Sequence, residues 1–420
     1  MKKSINISIC FILVFLILLT TGCGTQYLGG DRNSKWEKDL NYLQEALSKK
    51  HVNLFFKVSQ EQFNKDIDEL KKSVDNLNDD EITAEIYKIV ASVGDGHTKV
   101  QKEFSRSYPF QFYYFKDSVY AINTIDEYKE VLYCNLVKIN GQDMKTIENK
   151  LSPLISRENE ETIKKTLPNY LSRPEILHGV NIVEDIDASV NFTFEDKAGK
   201  TFDLKVESLN PTSDNDKKFV INRDYDETYP LYMQKSDLNY WYKYLEEDKV
   251  LYLKYNVCSE NDKSGRLNDF NNEVLNFIEN NEVNKFVIDI RNNSGGGENR
   301  LGTLIDGIKD NKINDKNRFF VIVGRPTFSA AIIDAVRWRS ELNATFVGES
   351  TSGKPNHYGS VKKFSLPNSK LNVQYSTKYA KTGDDERDSF IPDKTIEISI
   401  DDYVNKKDPV LNYIIGSSNQ

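Results

Sequence analysis

A serine at the mouth of an apolar helix, three consecutive glycines after an apolar strand, and a histidine inside GDGHT are the residues here whose types and spacing could do chemistry. The serine is Ser329 in VGRPTFSAAIIDAV. A serine between strand and helix is ordinarily an N-cap, its hydroxyl accepting from the first free N–H groups. The same position also points the hydroxyl outward, where the helix dipole favours a developing anion. A serine is not nucleophilic at neutral pH, so this second reading needs a base. The glycines are Gly295, Gly296 and Gly297 in DIRNNSGGG. Glycine costs entropy on folding, so such a run makes sense where backbone N–H groups must approach a ligand closely; a tight turn is the plainer meaning. The loop matches neither a dinucleotide GxGxxG nor a Walker lysine. The N–H of Gly295 or Gly296, together with that of Ala330, would make an oxyanion site.

His97 in GDGHT is one of only four histidines. It is either a turn residue or the base, and a histidine takes a proton at neutral pH without an extreme pKa shift. Asp95 in the same segment is a turn aspartate or an orienter of His97. His357 in PNHYG reads as a surface or outlying residue, and His51 and His178 carry no motif. No cluster has metal-ligand spacing, so no metal or organic cofactor is implied.

The elements that must position these residues follow from periodicity. Ser34 and Glu37 form a capping box, followed by Trp36, Leu40, Leu43 and Leu47 at helical spacing. A second helix carries Phe63, Ile67 and Leu70, and a third carries Ile82, Ile86 and Ile89 and ends at GDGHT. Residues 34–98 thus read as an N-terminal helical cap. From Tyr108 the period becomes two, with hairpins at FQFYYFKDSVYAI and VNFTFEDKAGKTFDLKV and an Asn140-Gly141 turn, making 99–207 a β-rich module. Its LVKINGQDMKTI resembles the strand–turn–helix segment of PDZ domains, without a recognisable carboxylate-binding loop. Residues 208–238 are a polar linker. From 239 to 420, apolar strands KVLYLKYNV, KFVIDI, RFFVIVG and ATFVGE alternate with amphipathic helices, the pattern of a parallel α/β core.

The 420 residues carry a net charge of −8 with no basic patch, so nucleic acid is not an expected partner. Lys2 and Lys3 precede the apolar run Ile5 to Leu19 and then TTGC, which reads as an export signal over residues 1–22. Cys23 fits the cleaved, lipidated cysteine of bacterial lipoproteins, and 23–33 a tether; Thr20 departs from the usual larger aliphatic residue. An uncleaved anchor or a secreted form is the other reading. Cys134 and Cys258 lie in apolar strand-like runs and read as buried free thiols.

Taken together, DIRNNSGGG resembles the D-x-R-x-N-x-G-G signature of the C-terminal processing, or tail-specific, serine peptidases, and TFSAA their nucleophile segment. VGESTSGK, Val347 to Lys354, resembles the strand and loop carrying their lysine, and DSFIPDKTIEIS and DYVNKKDPVLNYII their closing strand and final helix. The resemblance spans about residues 85–415 and implies a Clp-protease/crotonase-like α/β core. It also implies two alternative bases. One branch uses a lysine 25 residues after the serine, which lands on Lys354; a tricorn-like branch uses the histidine of a D-G-H-T segment, which lands on His97. Tyr358 stands where a glutamine commonly assists the lysine. The tricorn-like branch orients its histidine through a serine, here replaced by Gly96, and a late glutamate, for which Glu386 is the match. The longer GDGHT match favours His97, with Lys354 as a substrate or loop contact. The expectation is an exported, lipid-anchored serine endopeptidase that cleaves peptides or unfolded protein tails. An inactive peptide-binding lipoprotein and crotonase-type acyl-CoA chemistry are the alternatives.

Overall fold

A computed structural model describes residues 27–116, 118–210, 219–221 and 227–417. The export signal, Cys23, Asp117 and residues 211–218 and 222–226 of the polar linker lie outside these residues.

Six strands form the central sheet, in the order β15-β12-β11-β10-β9-β8. They are β8 (Tyr240–Leu245), β9 (Val250–Tyr255), β10 (Lys285–Asp289), β11 (Phe319–Val323), β12 (Thr345–Gly348) and β15 (Lys394–Thr395). All neighbours pair in parallel except the β8–β9 hairpin. Every residue of β9, β10 and β11 is buried, as a parallel sheet covered on both faces requires. On one face Leu251, Leu253, Ile288 and Val321 pack under helices α7 (Leu267–Asn280), α8 (Gly302–Ile308) and α9 (Ala330–Glu341). On the other, Tyr252, Val287 and Ile322 meet α11 (Pro409–Gly416). The chain end forms two helices, α10 (Ile400–Val404) and α11, separated by Asn405 to Asp408.

The N-terminal helices are α1 (Arg32–Lys50), α2 (Gln60–Ser73) and α3 (Asp79–Ala91). The first cap differs from the expected one. Asp31 accepts from the Ser34 N–H at 2.8 Å, so the helix begins earlier and Ser34 falls within it. Both residues are good caps, and the acid one turn upstream prevails. A second sheet orders β2-β3-β4-β6-β7, from β2 (Phe110–Phe115) and β3 (Ser118–Thr124) to β6 (Val190–Glu195) and β7 (Thr201–Val206). The LVKINGQDMKTI segment forms β4 (Asn135–Ile139), a two-residue β5 (Gln142–Asp143) and α4 (Met144–Leu151), with Asn140 and Gly141 both at positive φ in the turn. Two helices follow, α5 (Glu161–Tyr170) and α6 (Pro174–Gly179).

A third sheet was not legible in the sequence: the short β1 (Lys99–Gln101) pairs with a long hairpin, β13 (His357–Ser365) and β14 (Asn372–Ala380). One hydrophobic core runs from Trp36 to Val206 and takes in Leu366, Val373 and Tyr375 of this hairpin. The hairpin therefore leaves the α/β core and packs on the helical end of the chain. Its β14 holds the GDGHT turn: Gln374 Nε2 donates to His97 O at 2.8 Å, and Ser376 Oγ to Asp95 Oδ2 at 2.6 Å.

Candidate active site

Ser329 joins β11 to α9 with φ 53° and ψ −128°, and its side chain makes no capping bond. The ordinary N-cap role is thus not the one it plays. For a residue with a Cβ this backbone costs on the order of 1–3 kcal/mol. Such strain persists because the surroundings over-determine the loop. Thr327 Oγ1 donates to Ile290 O at 2.8 Å, and Phe328 N donates to Asn293 O at 3.0 Å, binding the serine loop to the glycine loop.

The glycine loop is itself fixed from below. Fully buried Asp289 meets Lys254 Nζ at 3.1 Å, Tyr252 Oη at 2.6 Å and Arg291 Nε at 2.9 Å. Arg291 in turn grips Asp408, which caps α11. Burial alone would raise Asp289, yet Arg291 and Lys254 hold its carboxyl down at about 2. Asn293 Nδ2 reaches Tyr255 O at 3.0 Å, while its Oδ1 accepts the Gly295 N–H at 2.9 Å.

At Gly295 (φ 105°) an added Cβ would stand 2.8 Å from Ser329 Cβ, and at Gly296 (φ 138°) 2.6 Å from Cys258 O. Only glycine fits either position. Because Asn293 takes the Gly295 N–H, and no other group among the described residues takes those of Gly296 or Ala330, the latter pair is free for an anion. Cys258 and Cys134 are free and buried.

His97, Ser329, Gly296 and Ala330 line one cleft of about 1060 Å³. The imidazole of His97 is buried and flanked by two rings, Phe328 with centroids 4.3 Å apart and His357 at 5.3 Å. Neither of its ring nitrogens has a hydrogen-bond partner. Burial and the His357 imidazole lower His97 to about 3, so the ring is neutral across the physiological range.

Asp95 anchors the turn rather than gripping the ring. Its Oδ1 accepts the His97 backbone N–H at 2.8 Å but stands 3.9 Å from Nδ1. Its Oδ2 accepts from Thr98 and Ser376, each at 2.6 Å, and meets His51 Nε2 at 3.1 Å. Burial pushes this carboxyl up, but the bonds from His51, Ser376 and Thr98 outweigh it and bring it to about 2.

The other sequence candidates make no hydrogen bond to His97. Lys354 is half-buried and is not among the residues lining the cleft. Its backbone N–H donates to Glu158 Oε2 at 3.0 Å and its carbonyl meets His357 Nδ1 at 2.9 Å. Glu386 is exposed and accepts from Asn356 Nδ2 at 3.1 Å; no hydrogen bond joins it to His97. His51, Glu158, His357 and Ser376 all reach His97 or its turn without having carried a motif. The pairing of Ser376 with Asp95 spans 281 residues, a separation that leaves no local trace.

Asp95, His97 and Glu158 each bring a ligand-type atom within 4.8 Å of the other two, close enough to hold a metal ion. Against that, Asp95 Oδ2 already has three partners, and the charges of Lys99 and Lys165 bear on His97. The cluster fits a hydrogen-bond network better than a cation site.

No protein-family profile and no curated protein matches the sequence. Solved structures do. Mature CPAF complexed with lactacystin has a TM-score of 0.64 at 12% identity, covering 92% of this chain and 99% of that one. Mature CPAF alone gives 0.63 at 11%, with the same coverages. The chain has the fold of these structures over nearly its whole described length. At these identities the likeness is one of fold.

Proposed function

We propose that this chain is a serine peptidase of the C-terminal processing type, acting on peptides or unfolded protein tails through an acyl-enzyme at Ser329. One observation carries the reading: Ser329 is held in a strained conformation without a capping bond, in the same cleft as a buried, unpartnered imidazole and two free backbone N–H groups.

His97 takes the proton of Ser329 as Oγ attacks the carbonyl carbon. The oxyanion that forms is met by the N–H groups of Gly296 and Ala330, at the positive end of α9. His97 then passes its proton to the leaving amine, and water, deprotonated by the same ring, releases the acyl group. Lys354 serves as a loop contact, its backbone tied to Glu158 and His357. The test is turnover of a reduced, alkylated unfolded protein. Cleavage by the native chain and none by Ser329→Ala supports the reading; equal cleavage by both overturns it. Tight binding without cleavage favours a peptide-binding protein.

The basic, apolar and TTGC stretches support a lipid anchor on Cys23 at the outer face of a bacterial cell membrane. No helix among the described residues is long and apolar enough to cross a membrane. Cys23→Ser should leave the membrane fraction or accumulate as uncleaved precursor; a native chain that is wholly soluble and starts elsewhere contradicts the anchor.

A further inference from the structure

Glu158 precedes α5, in the β-rich part of the chain, yet its carboxyl group ends beside the His97 turn. It exposes 9% of its surface. The Lys354 N–H donates to its Oε2 at 3.0 Å, and one of its oxygens stands within 4.8 Å of a ring nitrogen of His97. An added Cβ on Gly96 would lie 3.6 Å from Glu158 Cδ, so the carboxyl packs against the bare face of that glycine. This is the position where the resembling branch has a serine.

His97 must become an imidazolium during the reaction, and a buried cation without a partner is costly. Asp95 is poorly placed to supply that partner: its Oδ1 is 3.9 Å from Nδ1 and its Oδ2 accepts three bonds. Glu158 retains acceptor capacity. The remaining gap is that of a contact relayed by one water, or closed by a small rotation when substrate fills the cleft.

We propose that Glu158 is the positioning residue for His97, holding the ring with Nδ1 protonated and Nε2 free and offsetting the charge gained when Nε2 takes the serine proton. This rests on His97 being the base. The required state has Glu158 ionised and His97 neutral; adding a proton to the carboxyl lets it donate to Nδ1, which moves the ring hydrogen to Nε2 and blocks the base. Groups facing Glu158 are Asp95 and His97 from the turn, Lys354 from the loop after β12, Lys165 from α5 and Tyr379 from β14. Burial, and then the like charge of Asp95, raise the carboxyl to about 8, with Lys354 opposing. Because its folded pKa is raised, the active ionised form is gained as pH rises through that value.

The test is the rate of covalent labelling by a fluorophosphonate across pH 5–9, in the native chain and in Glu158→Gln. The amide oxygen of glutamine keeps an acceptor for the Lys354 N–H and for Nδ1–H but cannot titrate. The native rate should climb between pH 7 and 9, and Glu158→Gln should be slower by roughly 10²-fold at pH 9 with that climb gone. An equal rate and an unchanged climb in Glu158→Gln overturn the proposal. Should the variant not fold, the native profile still decides: a rate already at its plateau at pH 6 overturns it. If the native chain is not labelled at Ser329 at all, the serine-peptidase reading itself has failed.

Discussion

The ring of His97 lies parallel to that of His357, their planes 7° apart and their centroids separated by 5.3 Å. The second imidazole does more than fill space. Its Nδ1 is engaged by the carbonyls of Lys354 at 2.9 Å and Pro355 at 3.1 Å, which fixes its plane and therefore that of its neighbour. Phe328, the residue before Ser329, also packs against His97, and its ring centroid lies 6.4 Å from that of His357. The two rings thus pack against an imidazole whose nitrogens have no hydrogen-bond partner. Burial also lowers His357, and two stacked rings resist joint protonation.

This arrangement separates the two candidate bases. His97→Ala should lower kcat by about 10²–10⁴-fold, the usual contribution of a general base, with KM little changed. Lys354→Met should act mainly on KM or on stability, because the hydrogen bonds that tie this residue to Glu158 and His357 are made by its backbone. Steady-state kinetics on one peptide substrate measures both; near-native kcat in His97→Ala beside an inactive Lys354→Met reverses the assignment.

The strain at Ser329 should be visible as stability. Ser329→Gly relieves the positive φ and is expected to raise stability by about 1 kcal/mol, after allowing for the added freedom of glycine in the unfolded chain. Ser329→Ala retains the strain and should melt with the native protein. Both variants should be inactive. Thermal melts of the three chains provide the comparison; a Ser329→Gly chain less stable than Ser329→Ala would show that the loop is not strained.

Gly295→Ala should uncouple turnover from folding. The new methyl group would meet Ser329 Cβ at 2.8 Å and Ala330 N at 3.0 Å, displacing nucleophile and oxyanion donor together. A loss of roughly 10²–10³-fold in kcat is expected, the scale of a lost oxyanion contact, with an unchanged far-ultraviolet spectrum. Wild-type kcat in this variant would remove the glycine loop from the mechanism.

Beneath the loop, Asp289→Asn leaves buried Lys254 without a countercharge. Removing one partner of such a pair is expected to cost about 3 kcal/mol, read as a lower urea midpoint with an unchanged m-value. Little change would mean that the Arg291–Asp408 pair alone holds the loop.

Much of this was readable before any coordinates, and the residues that were not share a physical reason. The buried parallel strands announce themselves because both faces must be apolar, as in KFVIDI. DIRNNSGGG and GDGHT stand out because glycine at such backbone angles, and a lone histidine at a helix end, have few structural excuses. The β13–β14 hairpin did not stand out, since its HYGSVKKFS strand is largely exposed and polar in its middle. Glu158, His51 and Ser376 are ordinary polar residues whose roles arise from contacts across the fold, which no local period encodes. Glu386 shows the converse: a match in spacing to a family pattern suggested it as the orienter of His97, whereas its hydrogen bond is to Asn356 and none joins it to His97.

Site mapping with a biotinylated fluorophosphonate tests the central claim most directly. Folded native protein is labelled, digested and sequenced by mass spectrometry. The account predicts a single modified peptide carrying the adduct on Ser329, absent from Ser329→Ala and formed far more slowly in His97→Ala. A folded native chain that takes no label, or an adduct on another serine that persists in Ser329→Ala, would contradict it.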